Sequence, residues 1–140
     1  MRLVNEVIGR SLIIWFLIML VESVHGTLRR LIIEPSIGEV PARQWSVLTG
    51  SVLILIVALI SIRWIGARST KSLLSIGAVW VGLTLVFEIV LGVFVFGYSA
   101  DRILSDFDPR TGGMMGFGLL FMLFAPLIAA RFRGVEDSAR

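Results

Sequence analysis

Four apolar stretches, each long enough to cross a bilayer as a helix, constrain this chain more than any other feature of its sequence. They run approximately 10–30, 45–63, 73–98 and 113–131. A helix rising about 1.5 Å per residue needs roughly 20 residues to cross about 30 Å of hydrocarbon. The expected fold is therefore all-α: an integral membrane four-helix bundle forming one transmembrane domain over residues 1–140, with longer loops at 31–44 and 99–112. With 56% hydrophobic and 16% charged residues, a soluble domain of this size could not hide so much apolar surface. The mean hydropathy of +0.92 agrees.

Several function classes are set aside by what the sequence lacks. The absence of cysteine excludes disulfides, thiolate metal sites and cysteine nucleophiles. A pI of 10.6 invites a nucleic-acid reading, but the arginines sit at the ends of apolar segments and form no basic, aromatic-interleaved surface. No phosphate-binding glycine loop, nucleophile-base arrangement or zinc-ligand cluster is present, so catalysis on a soluble substrate is not expected. The first stretch is read as a true span rather than a signal peptide, because Val21 to Gly26 offers no small-x-small cleavage site.

Charge and punctuation orient the spans. Arg2, Arg10, Arg63, Arg68, Lys71, Arg131, Arg133 and Arg140 fall on one side, and Arg29, Arg30, Arg43, Arg102 and Arg110 on the other. The positive-inside rule then places both termini and the 64–72 loop in the cytoplasm. Pro35, Gly38 and Pro41 are expected to break the first outward loop, and Pro109, Gly112 and Gly113 the second. Leu31-Ile32-Ile33 is apolar enough to lie along the headgroups. Trp45, Trp64 and Tyr98 suit the aromatic belts, whereas Trp15 and Trp80 lie deeper and are expected to pack inside.

Glu22, His25 and Glu88 stand out because an ionisable side chain inside a span is costly unless a partner or a water-filled cavity compensates it. Counting about 1.5 Å per residue, Glu22 lies roughly 18 Å from Arg10 and Glu88 roughly 24 Å from Ser72, so both fall in the outer half of the membrane. Glu22, His25 and Arg29 share one helical face, and Gly77, Thr84, Glu88 and Gly92 form a similar stripe. An outward-facing polar seam, bordered by Arg29, Arg30, Arg43 and Arg102, suits a proton-linked or cation-binding site. The competing reading is interhelical hydrogen bonding by the same side chains.

Smaller patterns carry less. Glu22-Ser23-Val24-His25-Gly26 aligns with Glu88-Ile89-Val90-Leu91-Gly92, as two parallel-repeat helical hairpins would, with the glutamates on opposite sides of an axis along the membrane normal. Glu22-x-x-His25 matches the ligand element of di-iron bundles, yet the chain has one histidine, so a metal site would need further acids or a second subunit. Gly112-x-x-x-Gly116 resembles a helix-dimerisation pattern or a flexible helix entry, and Pro126 should kink the fourth span. Asp101, Asp106 and Asp108 lack the order of a calcium loop and are expected to be solvated or paired with Arg43 or Arg110.

Val24-His25-Gly26-Thr27-Leu28-Arg29, Ala42-Arg43-Gln44, Phe87-Glu88 through Gly97-Tyr98, Asp101 through Asp106, and Ala125-Pro126 together resemble small four-span bacterial inner-membrane proteins. The resemblance covers most of the chain from Glu22 to Arg131 and implies a bacterial inner-membrane address; it implies no activity and assigns no functional residue. The residues themselves point first to a small transporter, channel or ligand-binding membrane protein, expected as a homodimer in the lipid bilayer. An accessory subunit packed on another membrane protein comes second, and a membrane-embedded enzyme or metal site third.

Overall fold

A computed structural model describes residues 1–137; Arg140, assigned above to the cytoplasmic side, lies outside the described residues. Four helices are long and apolar enough to cross a membrane: α1 (Arg2–Ile37), α2 (Glu39–Ile65), α3 (Thr70–Val95) and, after a short α4 (Ala100–Ser105), α5 (Met115–Phe132). In hydrocarbon a backbone cannot turn to water for hydrogen bonds, and helices satisfy it internally. The chain is an all-α multi-pass bundle.

The helix ends follow local chemistry. Gly66, in the left-handed region at φ +85°, closes α2; Ser69 starts α3 by accepting from the Ser72 N–H, and Ser99 starts α4 by accepting from that of Arg102. The first outward loop differs from expectation. Instead of running over 31–44, the chain stays helical to Ile37 and turns at a single residue, Gly38, with φ +91°. A π-helical turn at Arg29–Ile33 explains this. Widening the helix by one residue just before Pro35 accommodates the proline's missing N–H and its ring in the first turn of the next segment. A second π-helical turn, Leu91–Val95, ends α3 short of the anticipated residue 98, where Gly97 at φ +65° reverses the chain. The 99–112 connection is ordered, holding α4 and a 3-10 turn at Pro109–Thr111.

The pairs in closest contact are α2 with α5, α3 with α5, and α1 with α2, with α1 and α3 touching more loosely. Around the bundle the order is therefore α1, α2, α5, α3. The two hairpins, α1–α2 and α3–α5, both start from the Gly66 end, but a two-fold axis along the bundle would place α1 beside α5 and α2 beside α3. That relation is not the one that packs. Gly112 is also not on a helix face: it is a left-handed turn residue at φ +84°, pressed against Val40.

The packed core fills the half nearer Gly66. Ile14, Ile18, Ile62, Leu73 and Trp80 are buried there, and Gly77 lets α3 approach the Leu123 carbonyl of α5 where any Cβ would collide. Trp80 donates to the Ser11 carbonyl at 3.0 Å and Trp15 to Thr84 Oγ1 at 3.0 Å, tying α1 to α3. Trp80 is fully buried and Trp15 half-buried against the core, while Trp45 and Trp64 are exposed on the outer surface. At the Gly66 end, Arg10 reaches the Trp64 carbonyl, Arg63 the Arg133 carbonyl, and the Asp137 N–H the Arg68 carbonyl. The N-terminus, the 66–69 turn and residues 133–137 therefore share one end, and Arg29, Arg30, Arg43, Arg102 and Arg110 lie at the other.

Candidate functional site

Above the Trp15–Thr84 bond α1 and α3 separate, and a cavity of about 270 Å³ opens between the four long helices and α4. Its floor is Thr84, whose hydroxyl lies 3.4 Å from the Met122 sulfur and 3.9 Å from that of Met19. Below it the core is continuous. The cavity is blind toward Gly66 and continues toward the Gly38 end.

All seven residues singled out from the sequence line this one cavity: Glu22, His25, Arg29, Arg30, Arg43, Glu88 and Arg102. α1 supplies Glu22, His25 and Arg29 because their spacing puts them on one face. α3 supplies Thr84, Glu88 and Gly92 from its own stripe; Gly77 belongs instead to the α3–α5 packing.

Glu22 sits deep in the cavity. Its Oε2 is 3.6 Å from His25 Nδ1, and Gly50 on α2 leaves the space it occupies. Its Oε1 is buried, and among the described residues no donor reaches it. His25 Nε2 is 2.8 Å from Thr49 Oγ1, which itself donates to the Trp45 carbonyl at 3.0 Å. Thr49 then offers a lone pair, so Nε2 carries its hydrogen and Nδ1 faces the carboxyl. At 3.6 Å the Glu22 carboxyl and the His25 ring are in electrostatic contact without a direct hydrogen bond. Glu88 lines the same space and stands within electrostatic range of Glu22, Arg29, Arg30 and Asp106. Its side chain is partly open to the outside of the bundle.

The mouth is a network of guanidiniums. Asp106 on the α4 side accepts from both Arg43 and Arg102, the latter at 2.7 Å, and Arg102 also reaches Glu39 at 2.7 Å. The hydrogen bond to Asp106 holds the Arg102 guanidinium above its ordinary pKa, outweighing burial, so it stays cationic. Arg30 donates to the Tyr98 hydroxyl at 2.9 Å and lies over the Phe96 ring at 4.2 Å, while Phe96 and Tyr98 stack at 5.4 Å. These contacts join α1, α2, α4 and the 96–98 turn across the opening. Arg29 differs from its neighbours: it lines the cavity, and its guanidinium makes no hydrogen bond or ion pair among the described residues, while its backbone N–H bonds back to Gly26 and His25. Arg43 Nε is likewise buried without an acceptor.

The sequence reading passed over Gly50, Thr49 and Asp106 as site members. Arg43, Val47 and Gly50 fall at i, i+4 and i+7, a stripe that would have placed a small residue opposite Glu22. The expected pairing of Asp106 with Arg43 is present. Glu22-x-x-His25 does not grow into a larger ligand set: among the described residues no three His, Asp or Glu side chains come together as metal ligands. No family model, curated protein or solved structure matches the chain.

Proposed function

We propose that the protein binds a small solute in this cavity and couples its binding to proton exchange on Glu22 and Glu88, as a small transporter or solute-binding membrane protein. The observation that carries the reading is the buried Glu22 Oε1, a strong acceptor that no donor among the described residues reaches, on a side chain that lines a cavity of about 270 Å³. Leaving such an atom unsatisfied costs about 1–3 kcal/mol. A proton, a cationic group or another donor entering the cavity would recover it. The arginine distribution supports a bacterial inner-membrane protein with both termini cytoplasmic and the mouth outside.

The test is solute-driven proton movement in liposomes carrying an internal pH dye, with butylammonium and 4-aminobutanoate as probes. Movement with either probe that disappears in Glu22→Gln, Glu88→Gln supports the reading. Identical traces from wild type and double variant contradict it.

The partly open Glu88 side chain favours a second reading, in which another chain seals that flank, either a second copy or a larger membrane complex to which this protein is accessory. A stoichiometric partner retained through purification, and lost on Glu88→Leu, would favour it.

A further inference from the structure

We infer that the cavity takes a zwitterion whose amino and acidic groups are separated by several bonds, the amine seated at Glu22 and the acid between Arg29 and Arg43. This rests on the solute-binding reading above and names the chemistry of its ligand. Two buried polar atoms that line or border the cavity have no partner among the described residues, and they are of opposite kinds. One is an acceptor, Glu22 Oε1; the other is a donor, Arg43 Nε. An inorganic cation would satisfy the first and leave the second, and a simple anion would do the reverse.

The levels of these groups agree on two helices. Glu22 and Arg29 are seven residues apart on α1, and Gly50, which touches the Glu22 carboxyl, is seven residues from Arg43 on α2. Both intervals amount to two turns, roughly 10 Å. The carboxyl and the guanidiniums thus form two layers, anionic below and cationic above. An α-amino acid, with its charges on adjacent groups, is too short to touch both layers, whereas an ω-amino acid or a small peptide spans them.

The upper layer has spare positive charge. Asp106 and Glu39 are engaged by Arg43 and Arg102, Arg30 is held by the neutral Tyr98 hydroxyl, and Arg29 lies within electrostatic range of Arg30 and Arg43 and of the acids Glu34 and Asp106, with no ion pair to either acid among the described residues. An entering carboxylate or phosphate would relieve that repulsion and accept from Arg43 Nε. The cavity wall also carries the apolar or small Val47, Gly118 and Leu119, beside the polar His25, Ser46 and Glu88, and a short methylene chain fits against the apolar side.

Calorimetric titration of the detergent-purified full chain with 4-aminobutanoate, butylammonium and butanoate tests this. The expected result is 4-aminobutanoate binding at least about tenfold tighter than either half-molecule. Arg43→Gln should erase its advantage over butylammonium, and Glu22→Gln its advantage over butanoate. Because Arg43 also holds Asp106, Arg29→Gln serves as the second cationic variant and should reduce the same advantage. Equal binding of butylammonium and 4-aminobutanoate would overturn the zwitterion inference while leaving the solute-binding reading intact. Equal binding of butanoate and 4-aminobutanoate would overturn it as well. No binding of any probe, together with unaltered proton movement in the Glu22→Gln, Glu88→Gln liposomes, would overturn both.

Discussion

Gly50 on α2 is packed directly against the carboxyl of Glu22 on α1: a Cβ at Gly50 would stand 2.8 Å from Glu22 Oε2. A glycine in the middle of a membrane helix thus makes the room in which the cavity's deepest charge sits. Gly50→Ala must push that carboxyl away, and with it the Glu22–His25 separation of 3.6 Å. Helix propensity favours alanine by about 1 kcal/mol, which offsets an overpacking cost of about 1–3 kcal/mol. Stability should therefore change by less than about 2 kcal/mol, while the His25 ring resonances in a nitrogen-labelled sample shift. An unshifted His25 spectrum would show that the two groups are not coupled through this contact.

Trp15 and Thr84 close the cavity floor with one hydrogen bond of 3.0 Å. Trp15→Phe and Thr84→Val should each destabilise the bundle by about 1–2 kcal/mol, because the first leaves the buried Thr84 hydroxyl and the second the half-buried Trp15 N–H without this partner. The double variant should cost less than the sum, by a coupling of about 0.6 kcal/mol as found for hydrogen bonds between membrane helices. Reversible unfolding in mixed micelles gives all four corners of the cycle. Strict additivity would mean that the bond contributes nothing to holding α1 against α3.

Asp106 and Glu39 both bind Arg102, yet they should respond differently to removal. Asp106 also neutralises Arg43, whose side chain is only 16% exposed, whereas Glu39 is 51% exposed. Asp106→Ala leaves two guanidiniums facing each other and should cost about 2–3 kcal/mol. Glu39→Ala should cost less than about 1 kcal/mol. The same micelle unfolding experiment ranks them, and an equal or reversed order would contradict the network described for the mouth.

Glu136, in the segment after α5, accepts from Thr70 at 2.7 Å and from Arg131 at 2.8 Å. These bonds hold its carboxyl below the ordinary glutamate value, the Thr70 hydroxyl contributing most. Since the folded value is the lower one, the contribution is complete above the ordinary carboxylate range and fades as pH falls through the folded value. A carbon-detected NMR titration should place Glu136 below the ordinary glutamate value, and Thr70→Val should return it upward. No change in Thr70→Val would place the cause elsewhere.

Much of this architecture was legible because bilayer crossing demands long apolar helices, and because a charge inside one is rare enough to be noticed. Glu22, His25 and Glu88 could be found from cost alone, and their helical spacing brought Arg29 with them. What hid was whatever depends on one helix meeting another. Gly50 is unremarkable until α1 lies beside α2. Pro35 looked like a helix breaker because a π-helical turn, which lets the helix continue past it, leaves no signature in composition. The repeat alignment of Glu22 with Glu88 said nothing about the α1, α2, α5, α3 order, which is set by contacts such as Gly77 against Leu123.

Glu22 lines a cavity that is blind toward Gly66 and continues toward the Gly38 end. The chain has no cysteine, so single thiols can be placed and probed without background. Ser51 lines the cavity beside Gly50, while Ser61, further along the same helix toward Gly66, is buried in the core half. In sealed proteoliposomes of known orientation, a charged methanethiosulfonate should modify Ser51→Cys from the side of Arg29 and Arg43 alone, and should leave Ser61→Cys unmodified from either side. Modification of Ser51→Cys from the side of the 66–69 turn, or from neither side, would contradict the cavity on which the account rests.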